Sequence, residues 1–265
     1  MKKILKFSLS GKFGHFKFPF TSPNHLKKTY SIPPRTTLLG ILGAIIGLKG
    51  FQDYDSGLPE YYEKLNHIPI SIVLTDFPKR YLIKYNSLNS FANNSKDVSP
   101  NMIISEELLL NPNYEILLIL DDINEIDKTL LSAFDSNQVK STFPIYLGKN
   151  EFFAEITNIE IFDFSEKFVE SCESSMNLKS IIPSKFIDYR KDLSEEVSNG
   201  VLDSFSYDID FSDMKLKTKF IEVFYFLKDL QLRDSIKFKN KLNLIKLNGE
   251  KYFFFDYGVI RNLQN

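Results

Sequence analysis

The chain has 265 residues, 43% of them hydrophobic, which suffices for one large domain or two modest ones and excludes a globally disordered protein. Its single cysteine cannot form an internal disulfide, and the chain lacks the Cys and His spacing of a zinc site, so we expect no metal and no cofactor. The longest near-apolar run, residues 38–48, is too short to span a bilayer and no signal-peptide pattern is found, so we expect a cytoplasmic protein without membrane contact.

The first 52 residues contain no aspartate or glutamate, and we refer to them as the basic head. The head carries nine cations: Lys2, Lys3, Lys6, Lys12, Lys17, Lys27, Lys28, Arg35 and Lys49. Because the whole chain has 33 basic and 34 acidic residues, the remainder holds 24 basic against 34 acidic ones. Such an uneven distribution of charge indicates a face that binds a polyanion.

The basic head itself predicts a strand, a loop and a helix. Residues 2–9 are predicted to form a strand, because Lys6 and Ser8 alternate with Leu5, Phe7 and Leu9, and a proline-punctuated loop then runs to Arg35. The helix is predicted over residues 37–48, with Thr36 or Thr37 as its cap. Its glycines at 40, 43 and 47 predict close packing of the helix on a sheet.

The middle of the chain continues the alternation of strands and helices. Strands are predicted at residues 68–76, 80–85, 102–110 and 114–120, with a polar arm at 86–101, a helix at 123–135 capped by Asp121 and Asp122, and a strand–turn–strand at 143–156 around Gly148. This order favours an α+β fold with a ferredoxin-like or RRM-like sheet carrying two helices on one face. We place this domain at residues 1–163.

Residues 164–265 predict a smaller β-rich C-terminal region. The clearest signal is Asn248-Gly249 between two β-prone runs, which is the strongest short-range indicator of a β-hairpin.

Lysines alternate with aromatic residues in the loop of the basic head, as in surfaces that bind RNA phosphates and stack on bases. The predicted contacts to RNA are Lys12, His15, Lys17, Lys27, Lys28, Tyr30 and Arg35. A solvated lysine-rich surface is the plain alternative. Two functional alternatives also stay open: a metal-independent ribonuclease using His or Tyr with lysines, His25 among them, and a basic protein that binds membranes or acidic protein surfaces. P-loop and nucleophile-elbow motifs are absent from the sequence.

Two stretches of this sequence resemble a known family. The first is SGKFGHF at residues 10–16, continued by KTY at 28–30 and IPPRTTLLGILGAIIG at 32–47; the second is YLGKNEFFA at 146–154. Together they resemble the CRISPR-associated family-five subunit of type I Cascade complexes. The last 100 residues match this family only in general character.

The resemblance implies a RAMP-superfamily protein with an RRM-like domain and a projecting β-hairpin thumb, whose tip would fall near residues 86–101. It implies an antiviral-defence subunit that holds the 5′ handle of the CRISPR RNA (crRNA) and caps the Cascade filament, next to the backbone subunit and the large subunit. Target DNA would be recognised mainly through pairing with the guide. One branch of the family cleaves the precursor RNA. This sequence lacks an adjacent Lys-His pair in the middle of the domain, and only Tyr30 matches the family's common Thr/Ser-Tyr position, which favours a handle binder that is not catalytic.

Overall fold

The structure, a computed structural model, describes residues 1–18, 26–50, 57–88, 101–135, 138–175, 178–187, 200–212, 215–226 and 236–255. Its three α-helices in these ranges are α1 (Arg35–Ile46), α2 (Glu60–Leu65) and α3 (Glu125–Ala133). Within the same ranges, all helices are too short or too polar to cross a membrane.

Most of the described chain is β-structure, in agreement with an α+β class. The strands are β1 (Lys2–Gly11), β2 (Phe13–Gly14), β3 (Phe16–Lys17), β4 (Leu26–Lys27), β5 (Thr29–Tyr30), β6 (Ile70–Leu74), β7 (Lys79–Leu88), β8 (Asn101–Leu110), β9 (Asn113–Asp121), β10 (Phe134–Asp135), β11 (Gln138–Val139), β12 (Ala154–Asp163), β13 (Val169–Ser175), β14 (Ile182–Pro183), β15 (Gly200–Ser212), β16 (Lys215–Phe226), β17 (Ile236–Leu247) and β18 (Glu250–Tyr252). Two short 3-10 helices, Glu166–Phe168 and Ser184–Phe186, lie among the later strands.

The main sheet has the strand order β12-β1-β9-β6, and all of its neighbouring strands are antiparallel. Strand β1 is central because it is apolar on both faces: Ile4 and Leu5 point to opposite sides and are both fully buried. Leu5 joins a core with residues of α1 and α3, whereas Ile4 packs with Ile245 and other residues of the C-terminal strands. The sheet is therefore covered on both faces.

A long antiparallel hairpin, β7–β8, forms a second sheet. The two strands pair from Lys79 with Leu110 to Leu88 with Asn101, and β8 also pairs with β2 and β4 of the basic head. The predicted strands at 80–85 and 102–110 are thus longer than expected and pair with each other. The middle of the predicted polar arm, residues 89–100, lies outside the described residues.

Helix α1 begins two residues earlier than predicted. Pro34 is its N-cap residue, and neither Thr36 nor Thr37 caps it, since proline fixes the extended entry to the helix without a side-chain bond. The expectation that its glycines pack on the sheet is wrong. A Cβ on Gly43 would lie 2.4 Å from the Cβ of Tyr61, so this glycine allows close packing against α2.

Two further sequence predictions differ from the structure. Helix α3 is capped by the side chain of Asn124, which accepts N–H bonds from Ile126 and Asp127; the predicted caps Asp121 and Asp122 precede that position. Around Gly148, the predicted strand–turn–strand is reduced to one bridge between Tyr146 and Phe153 before β12 begins.

The C-terminal hairpin is confirmed. Leu247 pairs with Glu250 across a turn in which Asn248 and Gly249 both have positive φ, 52° and 85°. Two consecutive positive φ values are those of the type I′ turn that Asn-Gly favours. Residues on either side of the proposed boundary at residue 163 share one core. The boundary itself stays a prediction.

His67 joins the start of β6 to helix α3. Its Nε2 lies 2.8 Å from Oδ1 of Asp127, a buried carboxylate whose Oδ2 accepts the N–H of Asp121 at 2.8 Å. This bond to Asp127 raises the pKa of His67 above its ordinary value of 6.5, although burial acts in the opposite direction.

The stability of the fold should therefore depend on pH through His67. Because its pKa is higher in the folded chain, His67 stabilises the fold fully below an unfolded-state pKa of about 6.5, and this contribution is lost as the pH rises through the folded-state pKa. We expect the wild-type Tm to fall relative to that of His67→Gln across this range. Thermal unfolding of both proteins at a series of pH values checks this, and a constant Tm difference would contradict it.

Candidate nucleic-acid interface

The two sequence motifs that lie far apart in the chain meet in space. The N–H of His15 donates to the carbonyl of Leu147 at 2.9 Å. Gly148 has a φ of 90°, and a Cβ there would lie 1.9 Å from the carbonyl oxygen of His15. On the other side of this contact, a Cβ on Gly11 would lie 2.7 Å from the side chain of Leu147. The glycines of both motifs thus permit one close backbone contact.

A cleft of about 440 Å³ opens beside this contact and will be referred to as the basic cleft. It lies between the basic head, which includes the start of α1, and the hairpin β7–β8. Its lining consists of His15, Phe16, Lys17, Lys27, Tyr30, Pro34, Thr36, Thr37, Glu106, Gly148, Lys149 and Phe220. Three lysines and the N-terminus of a helix thus converge on one concave surface.

A fully buried carboxylate organises the cations of the cleft. Glu106 accepts bonds from Nζ of Lys149 at 2.7 Å and from the hydroxyl of Tyr85 at 3.0 Å. Tyr85 in turn accepts a bond from Nζ of Lys27 at 3.3 Å. Burial opposes the charge on Lys149, but the bond to Glu106 and its charge prevail and raise the pKa of Lys149. Lys149 is therefore a fixed cation, and its side chain is partly exposed.

His15 forms a buried wall of the cleft. Its Nδ1 donates to the carbonyl of Glu107 at 2.8 Å, and its Nε2 lies 3.4 Å from Oε1 of Glu106. Burial lowers the pKa of His15; the Glu107 carbonyl and the Glu106 carboxylate oppose this, while Lys149 and Lys27 add to it. With 3% exposure, the ring presents little surface to a ligand.

The start of α1 adds a favourable field for anions. The first turn of this 12-residue helix has no acidic side chain, and no side-chain hydrogen bond caps it within the described chain. Backbone N–H groups at a helix N-terminus attract phosphates. Because Pro34, Thr36 and Thr37 line the cleft, this end of the helix adds to the charge of the lysines.

The structure separates the seven predicted RNA contacts into three groups. His15, Lys17, Lys27 and Tyr30 line the basic cleft. Lys12 and Lys28 are exposed but are not part of its lining. Arg35 is 1% exposed and donates to the Asn66 side chain at 2.6 Å and to backbone carbonyls.

Tyr30 lines the basic cleft but is itself buried. Its ring is 2% exposed and packs edge-on against Phe18, with centroids 4.9 Å apart. The ring faces are therefore not open for stacking on a base. His25, the other residue considered for catalysis, lies outside the described residues.

The predicted set omitted Lys149, Glu106 and Tyr85. Lys149 belongs to the second motif, so its position there could have marked it as a candidate RNA contact. Glu106 and Tyr85 lie on paired strands of a hairpin, where Glu106 is opposite Ile83 and next to Lys27 of β4. Their meeting depends on strand register, which the sequence does not reveal.

Comparison with known protein families identifies the chain. The family described as CRISPR-associated protein (Cas_Cas5) matches residues 4–221. The chain belongs to the Cas_Cas5 family. Both motifs of the cleft fall inside the matched range, so the contact between His15 and Leu147 is a contact between two parts of the Cas_Cas5 region. A search of curated proteins finds no match.

Solved structures share the fold of this Cas_Cas5 family member. A chain of a "CRISPR RNA-guided surveillance complex" is 9% identical with a TM-score of 0.50, over 90% of this chain and 91% of that one. A CRISPR protein from Archaeoglobus fulgidus is 14% identical with a TM-score of 0.51, over 97% and 100%. At these identities the likeness concerns the fold alone.

Proposed function

We propose that this chain is the RNA-binding subunit of a type I CRISPR effector, in which it holds the 5′ handle of the crRNA and caps the backbone filament in antiviral defence. The observation that carries the proposal is the basic cleft. Lys17, Lys27 and Lys149 surround it and the N-terminus of α1 opens into it, so its charge suits a phosphate backbone. Because the chain belongs to the Cas_Cas5 family, we infer that this phosphate backbone is that of the RNA in a CRISPR complex.

The topology supports a ferredoxin-like domain with a thumb. If β1, β6, β9 and β12 are counted as strands one to four, the antiparallel sheet has the order 4-1-3-2, and α1 and α3 lie in the two connections that join strands one to two and three to four. This order agrees with the split βαβ arrangement of ferredoxin-like folds and supports that assignment. The hairpin β7–β8 lies between strands two and three, and we assign it as the thumb.

The proposed partners are the backbone subunit and the large subunit of the effector, with target DNA bound through the guide. The excess of acidic residues outside the basic head suits protein contacts better than RNA contacts. Co-purification with the backbone subunit, followed by sequencing of the bound RNA, tests both parts of this assignment. Recovery of RNA without CRISPR repeat sequence would contradict the handle-binding role.

Replacing Lys17 and Lys27 together with alanine should weaken binding of a 5′-handle RNA. Removing one lysine from a phosphate should reduce the magnitude of the slope of log K against log salt by about 0.7, as expected for single strands. Titrations of labelled handle RNA at several salt concentrations measure both the affinity and this slope. Among the residues that the structure describes, neither lysine is bonded to a carboxylate, and Lys27 bonds the hydroxyl of Tyr85, so the fold should be retained.

The matched control is Lys64→Ala with Lys128→Ala, which removes the same charge from α2 and α3. Both control lysines are exposed, and each bonds a glutamate of its own helix. If the control pair weakened RNA binding as much as the cleft pair, the effect would be one of net charge and the basic cleft would not be the site.

The ribonuclease alternative rests on one observation, the meeting of His15 with lysines in a cleft. Both ring nitrogens of His15 face acceptors inside the protein and the ring is buried, which supports a structural role over proton transfer. Incubation of the folded chain with precursor RNA in EDTA decides between the two. Specific cleavage would establish the alternative.

A further inference from the structure

Two more cavities continue from the basic cleft along the surface. The first, of about 430 Å³, shares Thr36, Thr37 and Gly148 with the cleft. The second, of about 620 Å³, shares Pro144 and Ile145 with the first. The three cavities therefore adjoin one another in a row, and we refer to the two added cavities as the aromatic track.

The residues described in the lining of the aromatic track carry no formal charge. They are apolar, hydroxyl or amide residues, and the polar ones include Thr37, Gln138, Ser141, Thr142 and Asn150. Two of its rings are open to solvent, since Phe143 is 49% exposed and Phe153 is 64% exposed. Phe153 rests against Tyr146, with ring centroids 5.3 Å apart.

The backbone that carries these rings is firmly held. The N–H groups of Thr142 and Phe143 donate to the last carbonyls of α1, at Ile45 and Ala44, at 2.9 and 3.0 Å. Further along, the N–H of Ala154 donates to the carbonyl of Ile145 at 2.9 Å. The exposed rings thus stand on a fixed frame, which reduces the entropic cost of binding a ligand.

We propose that the aromatic track binds the single-stranded RNA that leaves the basic cleft, with successive bases stacked on Phe143 and Phe153. The inference rests on the proposed function and extends it to a second subsite. Open rings interspersed with hydroxyl and amide groups suit bases, whose faces stack and whose edges form hydrogen bonds. Continuity with a cationic cleft favours a nucleic acid over a protein, because the same strand can occupy both.

The test compares two RNAs: a short single strand that fills only the basic cleft, and the same strand extended by uridines at either end. Extension at one end should increase the affinity of the wild type. In the variant Phe143→Ala with Phe153→Ala, the extended RNA should bind about fivefold more weakly or worse, whereas the short RNA should bind as before. Because stacking is not ionic, this effect should persist at high salt.

Two control variants make the result specific. Phe143→Tyr with Phe153→Tyr keeps the rings and should keep the gain from extension. Phe77→Ala removes a ring of 45% exposure that lines none of the three cavities, and it should bind both RNAs as the wild type does.

Each outcome decides the proposal. If the alanine pair and the wild type bind the extended RNA equally, the proposal that the aromatic track binds RNA is wrong. It is also wrong if the only defect of the alanine pair is in assembly with another protein subunit. If the alanine pair alone is neutral while Lys17→Ala with Lys27→Ala weakens the short RNA, the track is wrong and the proposed function stands. If the lysine variant is also neutral, both are wrong.

Discussion

Replacing Gly148 with alanine should destabilise the chain by about 3 kcal/mol or more and should weaken RNA binding. Gly148 has a φ of 90°, a left-handed conformation that side chains disfavour, and the added methyl carbon would lie 1.9 Å from the carbonyl oxygen of His15. Since that oxygen belongs to the backbone, no side-chain rotation relieves the clash. The two motifs would have to separate at the wall of the basic cleft.

Denaturant unfolding and RNA titration of Gly148→Ala measure the two effects. Gly249→Ala is the matched control, because Gly249 has a φ of 85° but, apart from its chain neighbours, no atom of the described residues lies within 4 Å of a Cβ placed there. The difference between the variants isolates the contact with His15 from the cost of the left-handed backbone. Equal destabilisation by both substitutions would show that the two motifs can separate at little cost.

The second large effect is expected at Arg35, where Arg35→Ala should lower the free energy of unfolding by about 3 kcal/mol. The guanidinium is buried and donates to the side-chain and backbone oxygens of Asn66 at 2.6 and 2.7 Å and to the carbonyl of Ile68 at 3.3 Å. These bonds hold the start of α1 to the segment after α2. Their removal leaves buried oxygens without a donor, which is costly.

The same variant tests the role that the sequence suggested for Arg35. If the arginine is structural, the folded fraction of Arg35→Ala should bind handle RNA with wild-type affinity, as judged by titration below its unfolding transition. Lys28→Ala is the control, because an exposed lysine should change stability by less than about 0.5 kcal/mol. Weaker RNA binding by a variant of unchanged stability would show instead that the guanidinium contacts RNA.

The local patterns of the sequence were sufficient for many elements. The alternation of Leu5 to Leu9 predicts strand β1, and Asn248-Gly249 predicts the turn between β17 and β18, because both depend on neighbouring residues only. Helix α2, with six residues, was not predicted, since so short a segment gives little periodicity. The interpretation of the helix glycines was wrong because the Tyr61 against which Gly43 packs belongs to this unpredicted helix.

The residues of the predicted site also fall into those that local sequence identified and those that it did not. Composition shows that Lys17, Lys27 and Arg35 belong to an acid-free segment, but it does not show which side chains point outward. Arg35 and Tyr30 proved to be buried, whereas Lys149 lines the cleft from more than 110 residues further along the chain. Burial and long-range contact depend on packing, which local pattern does not encode.

The sequence by itself determined the uneven distribution of charge, the main strands and the two motifs at residues 10–47 and 146–154, because each is a property of consecutive residues. Only the tertiary structure decided that the two motifs meet at His15 and Gly148, and that the buried Glu106 fixes Lys149 beside Lys27. The physical reason is that a cleft is made by close approach of distant segments. Its shape depends on where a glycine leaves room and where a buried carboxylate requires a cation.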